Sequence, residues 1–91
     1  MANGDEDYIM TCLVDEWINT FKQKRQDYQD AHRELGVKAQ FVDINRKVVK
    51  LRRSMWEGHE LVGEQPREIL MDLIGHCFLA IDLLDEEVRP K

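Results

Sequence analysis

PREILMDLIGHCFLAIDLLDEEV, residues 66–88, is the stretch of sequence that decides the fold. Its apolar residues recur at steps of three and four, which is the spacing of one side of an α-helix. Pro66 suits the first turn of this helix because its missing N–H has no partner there, and Pro90 marks the end. Leu79, Ala80 and Leu83 make the middle of the stretch apolar almost all round. The stretch therefore predicts a helix that is central in its fold or buried in an oligomer.

Two earlier segments show the same helical spacing. Residues 5–28 place apolar side chains on one stripe, and Asp5 favours the positive end of the helix dipole. Gly36 is a natural helix stop, and we expect a break before it, near residues 28–30. Residues 39–56 predict a second helix, with apolar residues separated by 3, 4, 3 and 4 positions. That seam consists of Phe41, Ile44, Val48, Leu51 and Met55, and it is flanked by Val42, Val49 and Trp56.

These segments predict an all-α fold. With 91 residues, the chain has the length of one domain, residues 1–91, with helices over about 5–28, 39–56 and 66–88. Three such helices make a thin antiparallel three-helix bundle with a modest core. The apolar stripes are wider than one small bundle needs. We therefore expect the bundle to be completed by dimerisation, in a homodimer.

The composition excludes several classes of protein. The longest uninterrupted apolar run has five residues, 77–81, whereas a membrane span needs about 20. The first residues are acidic and do not resemble a secretory signal. The two cysteines, Cys12 and Cys77, form neither a metal-binding spacing nor a disulfide framework. We therefore expect a cytoplasmic protein with no membrane partner.

Charge is unevenly distributed along the chain. The net charge is −5, yet residues 39–56 carry five bases and one acid. One interpretation is that these bases face the acidic helices or water, where ion pairs contribute little. The other is a local anion site, at which some of the cations bind a phosphate. Duplex DNA is an improbable partner in either case, because its binding requires a broad basic surface.

Asp72 is the clearest candidate for a functional side chain, because it lies within an apolar helix. It could simply pair with His76, four residues later on the same face. Alternatively, it lies opposite Lys47 of the second helix, with His76 beside a ligand, and forms a titrating pair in a binding site. Two interpretations are also open for Asp27 and Tyr28. They could form the end of a helix, or they could contact a base or sugar of a ligand.

The sequence contains no recognised motif of a catalytic or metal site. Glu57, His59, Glu60 and Glu64 share a loop and could contact a divalent cation, but their spacing matches no known metal motif. The sequence has no glycine-rich phosphate loop and no nucleophile elbow. Ser54 has no matched base nearby. We therefore expect no catalytic nucleophile and no metal site.

Several short motifs resemble a known family. They are FKQK at 21–24, Asp27-Tyr28, Leu35-Gly36, FVDINRK at 41–47 and EILMDLIGH at 68–76. Together they look like the nucleotide-modification-associated helical domain, which is common in bacteriophages. That family is similar in helical arrangement to the MazG-like and dimeric dUTPase group of all-α nucleotide pyrophosphatases. The resemblance covers about residues 17–85. It implies a viral protein that acts in the host cytoplasm.

The resemblance also implies a site and a function. Carried over by position, it places six residues around one polar pocket that binds a nucleotide or related phosphate: Lys24, Asp27, Tyr28, Lys47, Asp72 and His76. The pyrophosphatase group holds Mg²⁺ with paired acids, whereas the second helix here offers Arg46 and Lys47. We therefore expect the protein to bind a nucleotide without full pyrophosphatase activity. We expect no required cofactor, and Mg²⁺ is the one candidate for an accessory ion. The alternative is a non-enzymatic helical interaction protein that binds and modulates a host protein.

Overall fold

The computed structural model describes the backbone of residues 2–28 and 31–88, and the side chains of residues 5–26 and 31–88. Within these ranges every regular element is a helix and there is no strand, which confirms the predicted all-α class. The chain divides into two compact units, Met1–Asp30 and Ala31–Lys91. The three-helix bundle and its dimerisation stay predictions.

The first unit is one long helical segment. It consists of α1 (Ala2–Asp7), a π-helical stretch (Tyr8–Leu13) and α2 (Val14–Tyr28). Helical backbone angles at Asp7 and Val14 carry the helix through both junctions. Trp17 and Phe21, one turn apart, stack with ring centroids 4.9 Å apart, and the Arg25 guanidinium lies 5.9 Å from the Phe21 ring centre. Aromatic stacking at this spacing stabilises an isolated helix.

The second unit begins with α3 (Ala31–Leu51), which continues into a π-helical stretch (Arg52–Trp56). It starts eight residues before the predicted second helix, because the chain is already helical on the N-terminal side of Gly36. Gly36 itself breaks the helix, with φ 81° and ψ −178°. The predicted break near residues 28–30 falls on residues 29 and 30, which lie outside the described part of the chain.

A loop at residues 57–65 joins α3 to α4 (Pro66–Val88), whose bounds match the prediction. The end of the π-helical stretch is closed by backbone bonds, since the N–H of Gly58 donates to Ser54 and that of His59 donates to Arg53. Gly58 has φ 78°, the left-handed geometry typical of a residue just past a helix end.

The helices α3 and α4 are antiparallel, because partners that lie later on α3 lie earlier on α4. His32 contacts Asp82, and Lys47 contacts Asp72. Ile69 is the one apolar side chain in the described ranges that is fully buried. Other apolar side chains of the two helices, such as Ile44, Leu51 and Leu73, are half-buried.

The predicted apolar seam of residues 41–55 is only partly covered. Phe41 and Met55 are 68% and 62% exposed, whereas Ile44 and Leu51 are half-buried. Gln40 and Lys47 make contacts with α4 and lie on the same side of α3 as Ile44 and Leu51, at steps of three and four residues. The covered side of α3 therefore overlaps the predicted seam at Ile44 and Leu51.

Candidate functional site

Lys47 and Asp72 meet between α3 and α4. The Lys47 ammonium donates a hydrogen bond to the Asp72 carboxylate at 3.3 Å. Both side chains are largely covered, at 16% and 28% exposed. A hydrogen bond between charged groups in such a place is stronger than one in open solvent. This contact agrees with one of the two interpretations of Asp72, while a role of the pair in binding stays a prediction.

His76 lies one turn after Asp72 and directs its ring towards α3. Its Nδ1 is 2.8 Å from the side-chain oxygen of Gln40 and 3.9 Å from a carboxylate oxygen of Asp43. Gln40 is buried, so this contact holds the imidazole against α3. Since the ring reaches across to α3, His76 is more than the local partner of Asp72 that one interpretation of the sequence predicted.

Glu64 of the loop also belongs to this site, which the sequence did not indicate. Its carboxylate accepts a hydrogen bond from Lys50 at 2.6 Å and lies 3.9 Å from the Lys47 ammonium. The hydrogen bond from Lys50 lowers the pKa of Glu64, and the charge of Lys47 acts in the same direction. The sequence analysis grouped Glu64 with the other acids of the loop, and no local pattern shows that it contacts α3.

An open depression of about 540 Å³ lies on this side of the helix pair. It is lined by Asp43, Asn45, Arg46, Lys47, Val49, Lys50 and His76. The Arg46 side chain is 75% exposed and lies 3.9 Å from Asp43. Three cationic side chains from two successive turns of α3 thus border one concave surface. This arrangement can attract a small anion, although Lys47 and Lys50 already have carboxylate neighbours.

The remaining predicted site residues lie on the first unit. Lys24 is an exposed residue of α2. The side chains of Asp27 and Tyr28 lie outside the described residues. Of the six residues that the resemblance implicates, the structure therefore brings together Lys47, Asp72 and His76.

A second polar cluster ties the other end of α3 to α4. His32, which is 5% exposed, lies 3.0 Å from Asp82. Arg33 donates to Glu86 at 2.6 Å and lies 3.5 Å from Asp82. The sequence did not point to these residues, because the charges of one helix do not show which turn of another helix they will meet. Their contacts join the two helices.

Within the described ranges, no group of three or more His, Cys, Asp or Glu side chains could hold a metal ion. In the loop, His59 lies 3.8 Å from Glu57, and Glu64 is engaged by the lysines of α3. Every helix in the described ranges is too short or too polar to cross a membrane.

Comparison with known proteins adds no relative. No protein-family model, no curated protein and no solved structure matches this chain. The likeness to the nucleotide-modification-associated family therefore stays an expectation from the short sequence motifs.

Proposed function

We propose that the chain binds a small phosphate-bearing ligand, of the nucleotide class, in the depression beside Lys47 and His76. The observation that carries this proposal is the grouping of Arg46, Lys47 and Lys50 around one concave surface of an otherwise acidic protein. A single nucleotide needs two or three cations, which is what this surface offers, whereas a duplex needs many more.

The chemistry of each residue suits one part of such a ligand. The guanidinium of Arg46 can form paired hydrogen bonds with a phosphate, and its exposure leaves it accessible. Lys47 and Lys50 supply point charges at the same surface. Asn45 offers amide hydrogen bonds to a base or sugar. Asp72 and Glu64 hold the two lysines in place until the ligand arrives.

We propose binding without hydrolysis. Cleavage of a nucleoside triphosphate by the pyrophosphatase group uses Mg²⁺ held by several carboxylates. Here Asp72 and Glu64 each lie beside a lysine ammonium, whose positive charge disfavours a divalent cation at the same oxygens. In this proposal the ligand is a cytoplasmic nucleotide, in the host cytoplasm if the protein is viral.

Isothermal titration with the deoxynucleoside triphosphates and inorganic triphosphate, with and without Mg²⁺, tests this proposal. We expect Arg46→Ala to weaken binding by about ten- to a hundredfold, because it removes a charged hydrogen bond of about 1.5–3 kcal/mol. Arg53→Ala is the matched control, since Arg53 is also an exposed arginine of this segment but does not line the depression.

Lys47→Ala should also weaken binding, and it leaves Asp72 without its ammonium partner, so its folding must be checked by circular dichroism. An absence of heat with every ligand would contradict the proposal. Equal losses in Arg46→Ala and Arg53→Ala would show non-specific attraction. Release of pyrophosphate would contradict binding without hydrolysis.

A second function, binding and modulation of a host protein, is favoured by a different surface. Phe41 and Val42 in the middle of α3, and Met55 and Trp56 in the π-helical stretch that follows it, are all more than half exposed. Trp56 is 87% exposed, and aromatic residues and Met are enriched where proteins bind each other.

This second function predicts a specific loss in a pull-down from host lysate. Trp56→Ala should abolish capture of the partner, because truncation of an interface tryptophan often costs about 2 kcal/mol or more. Val62→Ala, at an exposed loop residue, is the control. Capture that is unchanged by Trp56→Ala would exclude this surface.

A further inference from the structure

One side of α4 carries an uninterrupted row of exposed apolar residues. Successive members are separated by 4, 3, 4, 3 and 4 positions, so the row follows one side of the helix for its whole length. Their exposed fractions rise from 38% at Leu70 to 50% at Ile81 and 80% at Val88. The row, called here the α4 row, consists of Leu70, Ile74, Cys77, Ile81, Leu84 and Val88.

The α4 row lies on a different side of the helix from the residues that contact α3. Those residues include the polar Asp72, His76 and Asp82, together with the buried Ile69. The helix thus packs a partly polar side against α3 and leaves its fully apolar side exposed. An apolar row of this length is typical of an interaction surface.

We propose that a second copy of this chain covers the α4 row, with the two α4 helices antiparallel. The first argument is the pattern of the row itself. In heptad terms, the β-branched residues Ile74, Ile81 and Val88 share one position, and Leu70, Cys77 and Leu84 share the other. Both positions are apolar along the whole row, so that two copies of the row can meet without a polar layer.

Comparison with α3 supports the choice of this row. The exposed apolar pairs of α3, at 41–42, 48–49 and 55–56, are separated by the polar Asn45 and Arg52. The α4 row has no polar member. The α4 helix of a second copy therefore covers the α4 row better than its α3 would, since the contact would be apolar on both sides along its length.

Charge determines the orientation. Asp85 and Glu87 flank the C-terminal end of the α4 row. Parallel helices would bring the acids of both copies together, and like charges repel. Antiparallel helices instead place these acids beside the uncharged Met71 and Leu73, close to the positive end of the partner helix and to Arg67.

The antiparallel arrangement predicts three kinds of side-chain pair between the two α4 helices. Each pair occurs twice, because the dimer is symmetric. Leu70 packs on Val88 of the partner subunit, Ile74 on Leu84 of the partner subunit, and Cys77 on Ile81 of the partner subunit. The α4 row covers 19 residues, or about 28 Å of helix, which is short for a coiled coil. The dimer is therefore reversible and forms in the micromolar range.

Sedimentation velocity over about 1–100 μM of the full chain tests the association. The wild-type chain should convert from monomer to dimer over this range. Ile81→Glu should remain monomeric, since it places a carboxylate in the middle of the α4 row. Val42→Glu is the matched control and should dimerise like the wild type, because Val42 is equally exposed, at 52%, but lies on α3.

Disulfide trapping tests the orientation. Cys12→Ser removes the other cysteine and leaves Cys77 alone. This chain should give little covalent dimer on oxidation, because antiparallel packing keeps the two Cys77 side chains apart. Adding Ile81→Cys should give a covalent dimer on a non-reducing gel, since residue 81 then faces Cys77 of the partner subunit.

Three results would overturn the proposal. A wild-type chain that is monomeric throughout the range has no such interface. A dimer that is lost in Val42→Glu and kept in Ile81→Glu uses α3 instead. Efficient trapping through Cys77 alone shows parallel helices. None of these results bears on ligand binding, because the residues of the α4 row do not line the depression beside Lys47.

Discussion

Replacement of Ile69 by alanine is the sharpest test of the packing of α3 on α4. Ile69 is 0% exposed and is the one fully buried apolar side chain in the described ranges. The substitution removes three carbon atoms, which are worth about 2.4 kcal/mol at about 0.8 kcal/mol for each buried carbon group. The cavity left behind adds to this loss, so that a total of about 2–5 kcal/mol is expected.

Urea unfolding followed by far-UV circular dichroism measures the effect. Protein concentration must be held constant, because association would add to the apparent stability. The lower end of the range corresponds to a fall of about 10–20 °C in Tm for a chain of this size. Ile69→Val should cost only about 0.5–1.5 kcal/mol.

Val62→Ala provides the control, since Val62 is fully exposed in the loop before α4. Its effect should lie within about 0.5 kcal/mol of zero. If Ile69→Ala destabilised the protein no more than Val62→Ala does, Ile69 would not be buried between the helices. The described packing of α4 would then be wrong.

Two further predictions concern the kink in α3 and the pH dependence of folding. Gly36→Ala should destabilise the protein by about 1–3 kcal/mol, because φ 81° with ψ −178° is a backbone conformation that glycine alone adopts readily. Since no atom lies within 4 Å of the added Cβ, the whole cost comes from backbone strain. An unchanged urea midpoint would contradict this geometry. Because the folded pKa of Glu64 lies below its ordinary value of 4.5, its pairing with Lys50 stabilises the fold above that pH and is lost as the pH falls through the lowered pKa. Glu64→Gln should therefore lower the free energy of unfolding at neutral pH and have no effect on it in strong acid. Glu60→Gln is the control in the same loop. An equal loss of stability at both pH values would refute the pairing.

Prediction from sequence worked best where a local pattern determines the structure. The bounds of α4 follow from Pro66 and from the spacing of apolar residues, and both are local. The contact of Lys47 with Asp72 was one of two alternatives that the sequence left open, because a carboxylate within an apolar helix can pair along its own helix or with the basic second helix. Gly36 was correctly identified as a helix break.

Prediction failed where neighbouring rows of one helix compete. Of the predicted seam, Ile44 and Leu51 are half-buried, whereas Phe41 and Val48 are exposed and Gln40 and Lys47 contact α4. The polar partners lie on another helix, and a single-helix pattern cannot show them. The contact of Glu64 with the lysines of α3 was not predicted for the same reason, since it depends on how the loop returns to α3.

The polar contacts between α3 and α4 also determine how far one helix can slide along the other. Two helices held by apolar side chains alone can shift by a turn and still bury similar surfaces. Here a shift of one turn would move Lys47 from Asp72 to His76, and Gln40 from His76 to Ala80. Several charged and amide groups would lose their partners at once. The hairpin is therefore locked in one register, and its cations stay on a single side.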